Sequence, residues 1–151
     1  MKKNFILLFL LICSCGYQPL YKANNNSNNF KIQEIKFVGD NEVGRKIYAS
    51  IPFVIVKNDK NLNKINIYSN KNTIEASKNS KGQVTSYRTT LTIRFIIKNN
   101  NNEQIDEKIL KKEFSYSADE NKFKFKEYQN EILENLIDGV VEDIIFYLNY
   151  S

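Results

Sequence analysis

The sequence predicts an α+β two-layer sandwich, a four-stranded and mostly antiparallel sheet with two helices on one face, in the order β-α-β-β-β-α. Three observations predict it. Val84 to Lys98 sets Tyr87, Leu91, Ile93, Phe95 and Ile97 on one parity and mostly polar side chains on the other, the period of a half-buried strand. Phe123 to Leu148 carries a wide apolar stripe at helical spacing. Between the first strand-like stretch and a run with apolar residues every fourth position stands Gly39-Asp40-Asn41, a strand breaker that can also cap a helix.

In order along the chain, Phe30 to Val38 is rich in β-formers and reads as the first strand. Its apolar parity switches between Ile32 and Ile35, which indicates a bulge or burial on both faces. From Glu42, Val43, Ile47, Ile51 and Ile55 recur at intervals of four with Tyr48 beside them, and Asp40 or Asn41 serves as N-cap. Pro52 ends this helix early, near Ser50. Lys64 to Tyr68 alternates as a strand that Thr73 to Ser77 can continue after an irregular Asn70-Lys71-Asn72. Lys78 to Gly82 is a turn. In the long strand, Tyr87, Leu91, Ile93, Phe95 and Ile97 share one parity, and Arg88, Thr90, Thr92, Arg94 and Lys98 share the other. Asn99 to Asn102 connects it to a hairpin partner over Gln104 to Tyr116, with Leu110, Phe114 and Tyr116 on the core parity. The final helix pairs Ile132/Leu133, Leu136/Ile137, Val140/Val141 and Ile144/Ile145 with Tyr128 and Leu148. A helix of that length runs about 39 Å, and its stripe requires a sheet to cover. Gly139 weakens it by about 1 kcal/mol relative to Ala and marks a place for a bend.

Residues 1–14 read as an address rather than structure. Met1-Lys2-Lys3-Asn4 is a short positive region, and Phe5 to Ile12 is a continuous apolar run too short to span a bilayer. Ile12-Cys13-Ser14-Cys15 follows and resembles the bacterial lipobox, in which a small residue precedes the Cys that is acylated and becomes the new amino terminus. Cys15 is therefore the expected lipidation position and 1–14 the signal peptide. Acyl chains at about 0.8 kcal/mol per buried CH2 would tie the chain firmly to a membrane. Gly16 rather than Asp follows, the pattern of outer-membrane lipoproteins. Residues 15–29 form the lipidated terminus and an Asn-rich tether, and 30–151 a single domain.

Composition narrows the chemistry. Histidine is absent and both cysteines lie within the first fifteen residues, so the usual neutral-pH base, the commonest metal ligand and a free thiol nucleophile are missing from the expected domain. No nucleophile elbow, zinc motif or glycine-rich phosphate loop is present. The carboxylate pairs Asp106/Glu107 and Glu142/Asp143 read as solubility features. The expectation is a non-enzymatic protein with no cofactor and no metal. Net charge is +5, and loss of Lys2 and Lys3 lowers it to about +3, a mild balance without the dense basic stripe of a nucleic-acid binder. Abundant Ile, Lys and Asn also match the codons of an AT-rich genome. The polar parity of the long strand offers Arg88, Arg94 and Lys98, with the turn lysines Lys78 and Lys81 nearby, as partners for phosphate. A solvated outer face has the same composition.

Cys15-Gly16-Tyr17-Gln18-Pro19-Leu20-Tyr21 resembles the start of mature LPS-assembly lipoproteins, the LptE family, especially its alphaproteobacterial type, where the pattern is Cys-Gly-aromatic-x-Pro-Leu-aromatic. The element order is similar to that family's two helices on a four-stranded sheet, as are the positions of Gly82 to Arg88 and of the terminal helix. The resemblance implies a plug inside an LptD-type outer-membrane β-barrel, helping to assemble it and to deliver lipopolysaccharide to the outer leaflet. It implies lipidation at Cys15, a periplasm-facing body and contact with lipopolysaccharide, with Arg88, Arg94, Lys98, Lys78 and Lys81 as candidates for the lipid A phosphates. The competing expectation is a stand-alone lipoprotein carrier for an anionic lipid or other envelope ligand.

Overall fold

A computed structural model describes residues 29–150. The signal peptide, Cys15, the family-like motif and nearly all of the tether lie outside the described residues. The strands are β1 (Phe30–Ile32), β2 (Glu34–Gly39), β3 (Phe53–Ile55), β4 (Lys64–Lys78), β5 (Val84–Lys98) and β6 (Gln104–Ser117). The helices are α1 (Asn41–Ser50) and α2 (Lys122–Tyr150). The main sheet has the order β2-β4-β5-β6, with β2 parallel to β4 and the other pairs antiparallel. Two helices on this open sheet give the α+β arrangement that the periodicity predicts.

The expected first strand is two strands. It breaks at Gln33, and β1 pairs in parallel with β3 in a separate two-stranded sheet while β2 joins the main one. The parity switch between Ile32 and Ile35 thus marks a change of sheet, not a bulge within one ladder. Asp40 caps α1 by accepting from the Val43 amide at 3.2 Å. The helix stops at Ser50, before Pro52, and the chain extends so that Ile55 lies in β3 rather than on a helical stripe. The segment expected to be irregular, Asn70 to Asn72, is continuous strand paired with Thr90 to Thr92; the real irregularity falls between Glu75 and Lys78.

The core lies between the helices and the odd-numbered face of β5. Leu91, Ile93 and Phe95 are fully buried there against Ile67 of β4, Ile47 of α1 and Ile137, Val140 and Ile144 of α2. Each such side chain contributes about 1.5–3 kcal/mol of burial. The two helices meet through Lys46 of α1, which pairs with Glu134 of α2 and, at 3.4 Å, with Glu42. Phe114 departs from expectation. It has the core parity but is about half exposed, because β6 is the outermost strand. At the far end, Tyr116 is buried under Phe125 and Tyr128, and its hydroxyl hydrogen-bonds Thr89 and accepts from Gln129, both at 3.1 Å.

Gly39 marks the crossing from β2 to α1. Its φ is +90°, and a Cβ there would lie 2.2 Å from the Ser69 carbonyl oxygen. Ser69 holds this crossing: its hydroxyl donates to the Asp40 carbonyl at 2.6 Å and its carbonyl accepts from the Asp40 amide at 2.9 Å. Next to it, Gly44 lets α1 close on Phe37, whose Cδ1 is 2.8 Å from where a Cβ would stand.

Candidate functional site: the outer face of the sheet

The face away from the helices is built from alternate residues of four strands. The register sets out its rows, among them Glu34–Lys64–Lys98–Gln104, Lys36–Asn66–Ile96–Glu107 and Val38–Tyr68–Arg94–Ile109. Three rows further on, Ile74, Arg88 and Ser115 stand together. The face is polar but not purely so. Ile96 has the polar parity and is nevertheless buried, while Ile109 is 62% exposed.

The five candidate cations occupy three separate places. Arg94 is already engaged: its Nη2 donates to Glu107 Oε2 at 3.0 Å, its Nε donates to the other carboxylate oxygen, and its guanidinium lies 5.7 Å from the Tyr68 ring centroid. The Glu107 hydrogen bond raises the Arg94 pKa, and the Arg94 bond, helped by Gln104, lowers that of Glu107. Arg88 donates to Ser115 Oγ at 3.1 Å. Lys78 pairs with Glu75 at 2.9 Å, and that hydrogen bond raises its pKa. Lys81 sits in the turn, its amide donating to Asn79 Oδ1 at 2.9 Å. Lys98 stands at the opposite end of β5. Ten residues separate it from Arg88, about 33 Å of strand, so no single ligand headgroup bridges all five.

Lys98 has company that its own strand does not reveal. The antiparallel pairing of β4 with β5 sets Lys64 opposite Lys98, and the parallel pairing of β2 with β4 brings Lys36 to the same end, where they line a cavity of about 150 Å³ with Glu34, Asn66 and Asn102. Lys64 Nζ donates to the Asn100 carbonyl and to Asn102 Oδ1, both at 3.0 Å, and Lys36 pairs with Glu34 at 3.5 Å. A larger adjoining cleft of about 510 Å³, lined by Gln33, Ile35, Ile55, Lys57 and Lys64, runs between the two sheets. Four ammonium groups against one carboxylate make this end able to take an anion carrying an apolar or polyhydroxylated body. Lys36, Lys57 and Lys64 were not singled out from the sequence, because their convergence depends on a crossover register that strand periodicity does not encode.

The carboxylate pairs do not converge. Asp106 and Glu107 point to opposite faces of β6, one accepting from the Tyr147 hydroxyl and the other from Arg94. Asp143 pairs with Lys112 at 2.7 Å. Among the described residues no cluster of three or more metal-ligating side chains occurs, and no helix is long and apolar enough to cross a membrane.

No protein-family model matches the sequence, and no curated protein matches it. Solved structures do share the fold. The rare lipoprotein B of Shewanella oneidensis superposes with a TM-score of 0.61 at 10% identity, over 78% of this chain and 94% of that one. A minor lipoprotein of Acinetobacter baumannii gives 0.52 at 15% identity over 74% and 87%, and lipoprotein B of Nitrosomonas europaea gives 0.51 at 12% over 78% and 84%. The architecture is therefore one found in small bacterial lipoproteins, carried here by a sequence only 10–15% identical to theirs.

Proposed function

We propose that this chain is a non-enzymatic outer-membrane lipoprotein, anchored through Cys15, that seats in and helps assemble an LptD-type β-barrel and assists lipopolysaccharide transport to the outer leaflet. The observation that carries the reading is the run Cys15 to Tyr21 directly after an apolar stretch of signal-peptide length, in front of a domain with a fold found in bacterial lipoproteins. A small body with a largely polar outer face suits a plug, which must fit a water-filled lumen. The lysine-lined end around Lys64 and Lys98 suits the phosphates of lipid A better than the engaged Arg94 does. Affinity capture of carboxyl-terminally tagged protein from native membranes tests the reading. A large outer-membrane barrel at near one-to-one stoichiometry is expected. A lone protein, in detergent that preserves other barrel complexes, refutes the plug.

The second reading is a carrier that acts alone. The cleft beside Lys57 and Lys64 favours it, and saturable lipopolysaccharide binding by a protein that captures no barrel would establish it.

A further inference from the structure

Strand β6 is an outer strand of the main sheet, and among the described residues no strand pairs with its free edge. Past the irregularity near Gln104 it is regular from Asp106 to Ser117, a long row of backbone donors and acceptors of the kind that recruits another strand. Its charges are ordered. Asp106 and Glu107 come first, Ile109 stands exposed in the middle, and Lys111 and Lys112 follow.

That order is antisymmetric about Ile109. We propose that β6 pairs antiparallel with β6 of a second copy of this chain, across a twofold axis at Ile109, joining the two sheets into one. In this register Ile109 meets Ile109, Glu107 faces the partner's Lys111, and Asp106 faces the partner's Lys112. Symmetry repeats each ion pair. A twofold axis normal to the sheet admits only registers centred on a residue, and every other centre from Asp106 to Glu113 opposes like charges. Centring on Lys108 sets Lys108 against itself, and centring on Leu110 sets Lys108 against Lys112 and Glu107 against Glu113. Like charges directly opposite destabilise a pairing and opposite ones support it. Charged side chains on an edge normally repel other strands; here their order leaves one partner acceptable.

The helix side of the seam agrees. Lys108 would face the partner's Leu110, and both line a cavity of about 360 Å³ beside Phe146 and Tyr150. Those two rings pack against each other at a tilt of 36° with centroids 4.6 Å apart, yet are 65% and 78% exposed. A second copy brings its own α2 end to this apolar shelf, making the contact isologous. A copy seated in a barrel lumen has no room for this pairing, so the pairing belongs to copies outside a barrel, as in the second reading above.

The test is disulfide trapping in membranes from cells making the full chain. Ile109→Cys is expected to give a reducible dimer of twice the subunit mass, about tenfold or more faster than Lys111→Cys, whose two sulfurs would be about 14 Å apart. Glu107→Cys and Lys111→Cys, co-produced with different tags, should cross-link to each other. Adding Lys111→Glu to Ile109→Cys should abolish trapping. Wild type, carrying only its own cysteines, sets the background. A monomeric Ile109→Cys protein with unchanged melting overturns the proposal, as do equal trapping of Lys111→Cys and an Ile109→Cys adduct to a protein of another mass.

Discussion

Arg94 on β5 and Glu107 on β6 form a two-pronged ion pair across the outer face, with Nη2 3.0 Å from Oε2. The carboxylate is held below its ordinary pKa chiefly by that hydrogen bond. On the opposite face, Asp106 is likewise lowered, first by the Tyr147 hydroxyl. A carboxylate with a depressed folded pKa stabilises the fold above its unfolded pKa, and that stability fades as pH falls through the folded value. Thermal melting should therefore be flat above pH 4.5 where these two groups are concerned and decline below it. Asp106→Asn with Glu107→Gln should flatten the acid limb; an unchanged limb would place its origin elsewhere.

Gly39 and Gly82 both have positive φ, +90° and +77°, but differ in what surrounds them. At Gly82 a Cβ meets nothing within 4 Å, so Gly82→Ala should cost only the backbone term, about 1–2 kcal/mol. At Gly39 the new Cβ would strike the Ser69 carbonyl, and the hydrogen bonds that fasten β2 to β4 would have to shift. Gly39→Ala should cost clearly more, upward of about 3 kcal/mol. Urea unfolding of both variants decides it, and equal midpoints would contradict the crossing described here.

Phe95 is wholly buried under α2, with its ring against Tyr147 at 6.2 Å and 85°. Phe95→Ala should lose about 3–5 kcal/mol. Tyr116→Phe removes only a hydroxyl shared by Thr89 and Gln129 and should lose about 1 kcal/mol. Denaturant midpoints at a common slope measure both, and a reversed order would mean that α2 does not cover the sheet as described.

The bounds of strand β5 were legible because both its edges are paired and helices cover the middle of one face, so alternation carries most of the signal, with Thr89 and Ile96 as the exceptions. The Asp40 cap and the stop before Pro52 were legible because they are local chemistry. What escaped was decided at a distance. The break at Gln33 depends on β3, a three-residue strand whose Ile55 happens to continue a helical spacing. Phe114 reads as core until β6 is known to be an outer strand. Of the candidate site, Lys98 was found from its own strand, whereas Lys64 joins it through the β4–β5 register and Lys36 through the β2–β4 register. Arg94 and Glu107 were both visible, but their pairing required the β5–β6 register.

That difference between free and engaged cations ranks the two ends of the outer face. Lys64 and Lys98 border an open polar cavity, with Lys64 held by two neutral oxygens and, among the described residues, no carboxylate within ion-pair distance of either ammonium group. Arg94 would have to leave Glu107 and Arg88 would have to leave Ser115 to take a phosphate. A charge-assisted hydrogen bond is worth about 1.5–3 kcal/mol, so losing one such contact weakens binding by about tenfold or more. Under the lipopolysaccharide reading, Lys64→Glu/Lys98→Glu should weaken lipopolysaccharide binding by at least that factor, and Arg88→Glu/Arg94→Glu by less. Arg88 and Arg94 are exposed and Lys64 and Lys98 half-buried with their amines toward the open cavity, and circular dichroism should show both double variants folded. Titration of purified protein with lipopolysaccharide, and separately with a dephosphorylated form, reads the effect. Equal losses in the two double variants, or none in the lysine pair, would remove the lysine-lined cavity as the phosphate site.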